Sequence, residues 1–376
     1  MKHVRMAASL LVAAALLADP AIAQTTGPGD PTTLYAPALG LPLGIAAGRA
    51  GELFVADTFR IDRVDPTGSV TTYFGGPTSG SFFIDVVVEG SGDLLVAGSV
   101  LRGQAWQASV DRITPSGQRS QFTQFAAADA DARAITIGPD GDVWVGVVIS
   151  SGASEIRRYD PLGTFRGAVA ASPNGLGGVV VDLAFSPSGQ LYYSGVNYAV
   201  YKIASGIPQL VFETPGLPGM GGLSFDKDGY LYVGHSFLGV VLLDPTGQVV
   251  SNPFATTNLG GSAINLAFLR AANGDMTARL LAAYQGGTPD QPGPGGIVEM
   301  NPAGMRANGF RIGAIASIAT ASAHLLGGLE LDPIVQQQLD AQGNNNGKYD
   351  VGDFRAYLRA NGQLSATTAA VRRERP

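Results

Sequence analysis

The sequence contains no cysteine, so neither disulfides nor thiolate metal sites enter any account of how its 376 residues are stabilised or what they do. Charge is also scarce. Asp, Glu, Lys and Arg make up 14% of the chain, and the net charge of −6 has the wrong sign for gripping a phosphate backbone, which excludes a general nucleic-acid role. Histidine occurs three times, and only His235 falls within the repeats described below, so a site built on several imidazoles is not available there. No stretch approaches the roughly 20 uninterrupted apolar residues needed to cross a bilayer as a helix. The mainly apolar run from Ala7 to Leu17 follows the basic residues Lys2 and Arg5 and precedes Ala21-Ile22-Ala23. That order is the pattern of a secretory signal. Residues 1–23 are therefore expected to be removed, and the mature chain from Gln24 to be exported to the periplasm, the cell surface or the medium.

Glycine and proline are abundant, with 52 and 23 copies, and 45% of the residues are hydrophobic. This composition indicates short strands, many tight turns and a sizeable core. Two turn signals alternate along the chain. The first is an apolar run, a glycine turn and a second apolar run, as in Val86-Val87-Val88, Gly92 and Leu94-Leu95-Val96. It recurs around Gly51, Gly92, Gly141, Gly189, Gly229 and Gly274, at spacings of 41, 49, 48, 40 and 45 residues. The second is typified by Asp65-Pro66-Thr67-Gly68, Asp160-Pro161-Leu162-Gly163 and Asp244-Pro245-Thr246-Gly247. Proline presets φ at the first central position, glycine accepts a positive φ near the end, and the leading Asp bonds the turn backbone.

Two hairpins in each repeat of about 40–45 residues make a four-stranded blade, and six repeats make a six-bladed β-propeller. A β-sandwich would require cleaner polar alternation on its outer faces. Thr32-Thr33-Leu34-Tyr35 resembles Val70-Thr71-Thr72-Tyr73, the outer strand of the first repeat, and no comparable strand follows Gly304. The N-terminal segment is therefore expected to supply the last strand of the sixth blade. The expected fold class is all-β: a propeller over residues 32–305 after a flexible 24–31, then a small C-terminal helix-loop-helix.

Gly44-Ile45-Ala46, Gly51 to Asp57 and Arg60 to Asp65 resemble NHL-type repeats, and the likeness extends to the group holding the gluconolactonases, regucalcins and virginiamycin B lyases. That resemblance implies the propeller fold. Its members include scaffolds, lactonases and a lyase, so it does not select an activity. The Asn-Gly that lactonase-type relatives carry ahead of the inner strand reads Val181-Asp182 in this chain.

Aligning the repeats on their first glycine picks out a position seven residues earlier, at the start of the innermost strand. It holds Gly44, Asp85, Ala134, Asp182, Gly222 and, allowing for an insertion, Asn265. Three oxygen-bearing side chains on alternate blades would suit a hard divalent cation in the channel, and Arg133 offers an anion contact. Asp57 and His235, six residues after their glycines, are expected at the same mouth, together with Tyr284. The competing reading is a wet, polar mouth without chemistry.

After a connecting segment, 306–330, residues 331–364 read as a helix-loop-helix, followed by a disordered tail, 365–376. Asp332 and Pro333 would open the first helix, and Phe354, Tyr357 and Leu358 share one face of the second. The intervening loop resembles one calcium repeat of a dockerin. That resemblance implies Ca²⁺ held by Gln342, Asn344, Asn346, the Lys348 carbonyl, Asp350 and Asp353, with Gly347 at the sharp turn. The competing reading is that the Asn side chains bond the turn. Dockerins carry paired copies and pair with cohesins, whereas this chain has one recognisable copy. The function expected first is a non-enzymatic extracellular binding or scaffold protein that presents its loops to a ligand or protein partner. The alternative is a metal-dependent hydrolase or lactonase at the channel mouth.

Overall fold

The hairpin turns close as their residues dictate. The Asp65 carboxylate accepts the Thr67 hydroxyl at 2.6 Å and the Thr67 and Ser69 amides at 2.8 and 3.0 Å, and the Gly68 amide donates to the Asp65 carbonyl. Asp244 repeats this pattern with Thr246 and Gln248, and Asp160 repeats it with the backbone of Leu162 and Thr164. Such bonds favour the ionised form. The Thr67 and Thr246 hydroxyls, and the Thr164 amide at Asp160, hold these three carboxyls below their usual range. Gly68 has a further reason to be glycine, because at its φ of +88° a Cβ would lie 2.2 Å from the Tyr35 carbonyl oxygen on the strand that closes the ring.

The computed structural model describes residues 29–30, 32–76, 80–149, 152–171, 179–195, 199–214, 219–236, 238–256, 262–271, 273–285, 287–288, 291–292, 295–301, 318–327, 336, 339 and 348–360. The chain divides into two units, Met1–Pro302 and Ala303–Pro376.

The first unit is an all-β, six-bladed propeller. Blades 1 to 5 are antiparallel four-stranded sheets whose strands follow sequence order from the channel outward. Their innermost strands are Pro42–Ala47, Ser81–Val88, Asp129–Ile137, Val180–Phe185 and Met220–Phe225. Blade 6 is built from Ser262–Arg270, Met276–Gln285 and Gly295–Glu299, with the N-terminal strand Thr33–Leu39 outermost and antiparallel to Gly295–Glu299. Strand Thr33–Leu39 thus joins the two ends of the ring, as the likeness of the two Thr-Thr/Tyr segments implies. Each innermost strand lies beside that of the next blade, and the sixth lies beside the first.

The core sits between blades. One cluster joins Leu95, Ala97 and Val110 of blade 2 to Ala132, Ile135, Val145 and Tyr159 of blade 3. Another joins Leu281, Ala283 and Ile297 of blade 6 to Ile45, Leu53 and Val55 of blade 1. Because both faces of a blade are covered, the inner strands read as consecutive apolar residues. Each large aliphatic side chain buried there contributes about 1.5–3 kcal/mol. Aromatic pairs bridge neighbouring blades as well, such as Tyr232 against Phe268 at 5.4 Å and Trp144 against Phe185 at 6.0 Å, both edge-on.

In the second unit, helix α1, Ile318–Leu325, falls in the connecting segment, 306–330, and helix α2, Val351–Ala360, is the second helix of the expected module. The two helices touch, the His324 and Tyr349 rings lie 5.7 Å apart, and Leu339 and Asp353 are fully buried. The opening of the first expected helix at Asp332 and Pro333 lies outside the described residues.

Candidate functional site at the channel mouth

Every innermost strand carries a bulge near its start. The pairing with the second strand slips between Pro42 and Gly44, Phe83 and Asp85, Ala132 and Ala134, Val180 and Asp182, Met220 and Leu223, and Ala263 and Asn265. A bulge adds a residue without a partner and re-aims the side chains around it. The position singled out by the repeat alignment is thus the residue just after the bulge in five blades. In blade 5 the bulge is wider and takes in both Gly221 and Gly222.

The oxygen-bearing residues at this position join neighbouring blades. Asp85 of blade 2 accepts the Val86 amide on Oδ1 at 2.9 Å and the Ile135 amide of blade 3 on Oδ2 at 2.8 Å. Asp182 of blade 4 accepts the Leu183 amide at 2.7 Å and the Leu223 amide of blade 5 at 2.6 Å. Asn265 of blade 6 accepts the Ile45 amide of blade 1 with Oδ1 at 3.4 Å. Alternate blades therefore reach forward to the next one. Two of the intervening blades are kept small at the same level. A Cβ on Gly44 would lie 2.5 Å from Asp85 Oδ1, and one on Gly222 would lie 2.6 Å from Asn265 Cα.

Burial disfavours the charged form of both carboxyls. It pushes Asp85 up to about 7 against the pull of its two amide bonds, and it pushes Asp182 well up, with repulsion from Asp85 adding to the effect. From its alternate blade Asp85 opposes the ionisation of Asp182.

The remaining predicted mouth residues have separate partners. Asp57 is buried and fixes the entry to blade 1: its carboxylate accepts the Gly40 and Leu41 amides at 3.0 and 2.5 Å and Nη2 of Arg60 at 2.8 Å. His235 is fully buried, with Nδ1 accepting the Leu238 amide at 3.2 Å and Nε2 3.2 Å from the Thr214 hydroxyl. An imidazole whose Nδ1 accepts an amide carries its proton on Nε2, so the ring donates to Thr214. Tyr284 is buried opposite Ala263, and burial raises its hydroxyl. Arg133 differs from all of these. It is itself the extra residue of the blade 3 bulge. One guanidinium nitrogen reaches Asp131 at 3.2 Å, while its buried Nε has no hydrogen-bond partner among the described residues.

The donor set does not fit a channel cation. Among the described residues no group of three or more His, Asp or Glu side chains is placed to hold a metal ion. The Asp85, Asp182 and Asn265 oxygens already accept five backbone amides, far from the free shell of six to eight oxygens that Ca²⁺ takes. A cavity of about 480 Å³ lies elsewhere, at the opposite mouth where the inner strands of blades 6, 1 and 2 end; Arg49, Glu89, Arg270 and Asn273 line it, and it contains none of the predicted residues.

In the second unit, the calcium-loop positions Gln342, Asn344 and Asn346 lie outside the described residues. Lys348 is exposed. Asp350 and Asp353 form a reciprocal cap on α2: Asp350 Oδ1 accepts the Gly352 amide at 2.6 Å and Asp353 Oδ2 accepts the Asp350 amide at 2.8 Å. The described geometry accounts for both carboxylates as helix caps and gives the dockerin-like calcium loop no support.

Fold and site together define a six-bladed propeller closed by its N-terminal strand, with a buried acidic pair at the mouth where the inner strands begin. No family model and no curated protein sequence matches the chain. Solved structures do. A gluconolactonase from Xanthomonas campestris is 17% identical, covers 72% of this chain and 90% of its own, and superposes with a TM-score of 0.54. Regucalcin, a calcium-binding protein from Agrobacterium tumefaciens, is 16% identical over 71% of this chain and 91% of its own, with a TM-score of 0.52. A streptogramin B lyase is 16% identical over 72% of this chain and 86% of its own, with a TM-score of 0.50. Identities this low show the shared fold, that of gluconolactonase-like propellers.

Proposed function

We propose that this chain is an enzyme of hydrolase or lyase type, acting on a small ester- or lactone-like molecule at the mouth where the inner strands begin. The observation that carries the reading is the buried Asp85/Asp182 pair. Asp85 stands at about 7 and so exchanges its proton near neutrality, beside Asp182, whose carboxyl burial and the repulsion from Asp85 hold well up in favour of the neutral form. Such a pair can take a proton from attacking water with one carboxylate and return a proton to the departing oxygen with the other. In hydrolysis the water oxygen bonds to the carbonyl carbon and the carbon–oxygen bond to the leaving group breaks; the pair keeps its total of protons with one moved from the acid to the base, and proton exchange with solvent restores the starting state.

The gluconolactonase and the lyase among the structural neighbours support this reading over a non-enzymatic scaffold, for which the comparisons bring nothing. Because the donor set does not fit a cation, no step is assigned to a metal. The signal-like segment ahead of Gln24 supports action outside the cytoplasm.

The test is a panel of esters and lactones assayed with purified mature protein from pH 4 to 9, with Asp85→Asn and Asp182→Asn beside it. Turnover should show an inflection near pH 7, and each variant should lose about a hundredfold or more in kcat while remaining folded by near-UV circular dichroism. Absence of turnover across the panel, or full kcat in both variants, would overturn the reading.

A further inference from the structure

Five bulges place their extra residue alike. Leu43, Ile84, Arg133, Val181 and Ile264 are each half-buried between two buried neighbours, on strands whose inner edge has no further strand beside it. An extra residue on that edge, touching solvent where its neighbours do not, is placed by the bulge to face the channel. Four of the five are aliphatic. The fifth is the arginine whose buried Nε lacks a partner among the described residues. Metal ligands or a hydrated polar lining would need oxygen or nitrogen at these positions, and the chain places hydrocarbon there instead.

From this ring we infer that the mouth binds a small amphiphilic carboxylate, an aliphatic body against Leu43, Ile84, Val181 and Ile264 with its single anionic head on the Arg133 guanidinium. The arginine suits the role, since its planar fork pairs with a carboxylate and one face is already held by Asp131 at 3.2 Å. The inference rests on the enzyme reading only for its biological sense, in that hydrolysis of an ester or lactone of an aliphatic acid yields such a carboxylate.

Binding can be measured without turnover. Isothermal titration of the mature protein with n-alkyl carboxylates from butanoate to octanoate, and with the matching primary alcohols, should show affinity rising about twofold to fourfold per added methylene. The alcohols should bind at least about tenfold more weakly, as expected when a charge-assisted hydrogen bond is lost. Arg133→Met keeps the aliphatic stem and should cost octanoate about tenfold or more at unchanged melting temperature. Ile84→Asp should remove the dependence on chain length, which separates loss of the apolar wall from loss of the head-group contact. Affinity that is flat in chain length, or equal octanoate affinity in wild type and Arg133→Met, would overturn the inference. Octanoate binding without ester turnover would sink the enzyme reading alone, and turnover without carboxylate binding would sink this one alone.

Discussion

Asp182 Oδ2 and the amide of Leu223 lie 2.6 Å apart across the boundary between blades 4 and 5, while Oδ1 of the same carboxyl holds the Leu183 amide at 2.7 Å. One side chain therefore completes the backbone of two blades at the place where both bulge. Asp85 does the same for blades 2 and 3. Asp182→Ala would leave two buried amides without acceptors and should lower unfolding free energy by about 2–4 kcal/mol in urea titration. Asp182→Asn keeps one acceptor oxygen and should lose roughly half of that. An unchanged urea midpoint for the alanine variant would show that the blades do not depend on this bond.

The same burial makes stability depend on pH with a definite sign. Asp85 ionises near the usual carboxylate value when unfolded and at about 7 when folded. Its contribution is fully present below about pH 4, where both states are protonated. It is lost as pH rises toward 7, because only the unfolded chain releases the proton; above about 7 it is level. The loss is on the order of 4 kcal/mol for an isolated group with this shift. Asp226 is also raised to about 7 by burial, so the wild-type slope alone does not isolate Asp85. The stability difference between wild type and Asp85→Asn does: it should favour wild type most at pH 4 and shrink or reverse by pH 8. A difference independent of pH would contradict the buried-acid assignment.

The turns were legible in the sequence because their constraint is local. Asp-Pro-x-Gly specifies φ, a positive-φ position and a side-chain acceptor within four residues, and Asp65, Asp160 and Asp244 all use it in the expected way. Blade number followed from counting the six recurring glycine turns from Gly51 to Gly274, and ring closure from the likeness of Thr32–Tyr35 to Val70–Tyr73. The alternate-blade Asp85, Asp182 and Asn265 were visible as a column. Their partners were not, since the amides of Ile135, Leu223 and Ile45 are brought to them by packing of a different repeat. A carboxylate that joins blades and one that binds a cation look the same until its hydrogen bonds are known. The neighbouring column of bulge residues carried the clearer signal, four aliphatic side chains and one Arg133, but strand periodicity hides it because a bulge breaks the alternation by one residue.

Close approach of blades makes a second group of positions intolerant of change. A Cβ at Gly222 would lie 2.6 Å from Asn265 Cα and 2.7 Å from the Leu266 amide nitrogen, and one at Gly44 would lie 2.6 Å from Asp85 Cα. These obstacles are backbone, which cannot rotate away. Gly222→Ala and Gly44→Ala should each cost about 1–3 kcal/mol by overpacking. Gly90 is a matched control, because its Cβ would meet nothing nearer than Arg49 Nη2 at 3.5 Å. Gly90→Ala should be neutral or stabilising by up to about 1 kcal/mol. Thermal melts of the three variants give the comparison, and equal melting temperatures would argue against tight inner-strand packing at these two junctions.

Helix α2 offers the last separation of a structural role from a metal-binding one. Asp350 caps its first turn through Gly352, and Asp353 returns a bond to the Asp350 amide, so the two carboxylates satisfy amides that a helix start leaves open. Asn caps as well as Asp, whereas Ala does not cap. Asp350→Asn should therefore leave far-UV helicity unchanged in the full chain without calcium, and Asp350→Ala should cost this segment about 1 kcal/mol and reduce its helical signal. Calcium addition distinguishes the two roles further. A pure cap predicts the same spectrum with and without Ca²⁺ in wild type and in Asp350→Asn. A gain in helicity with Ca²⁺ that Asp350→Asn abolishes would return Asp350 to the role of metal ligand, since the amide conserves the cap and removes only the charge.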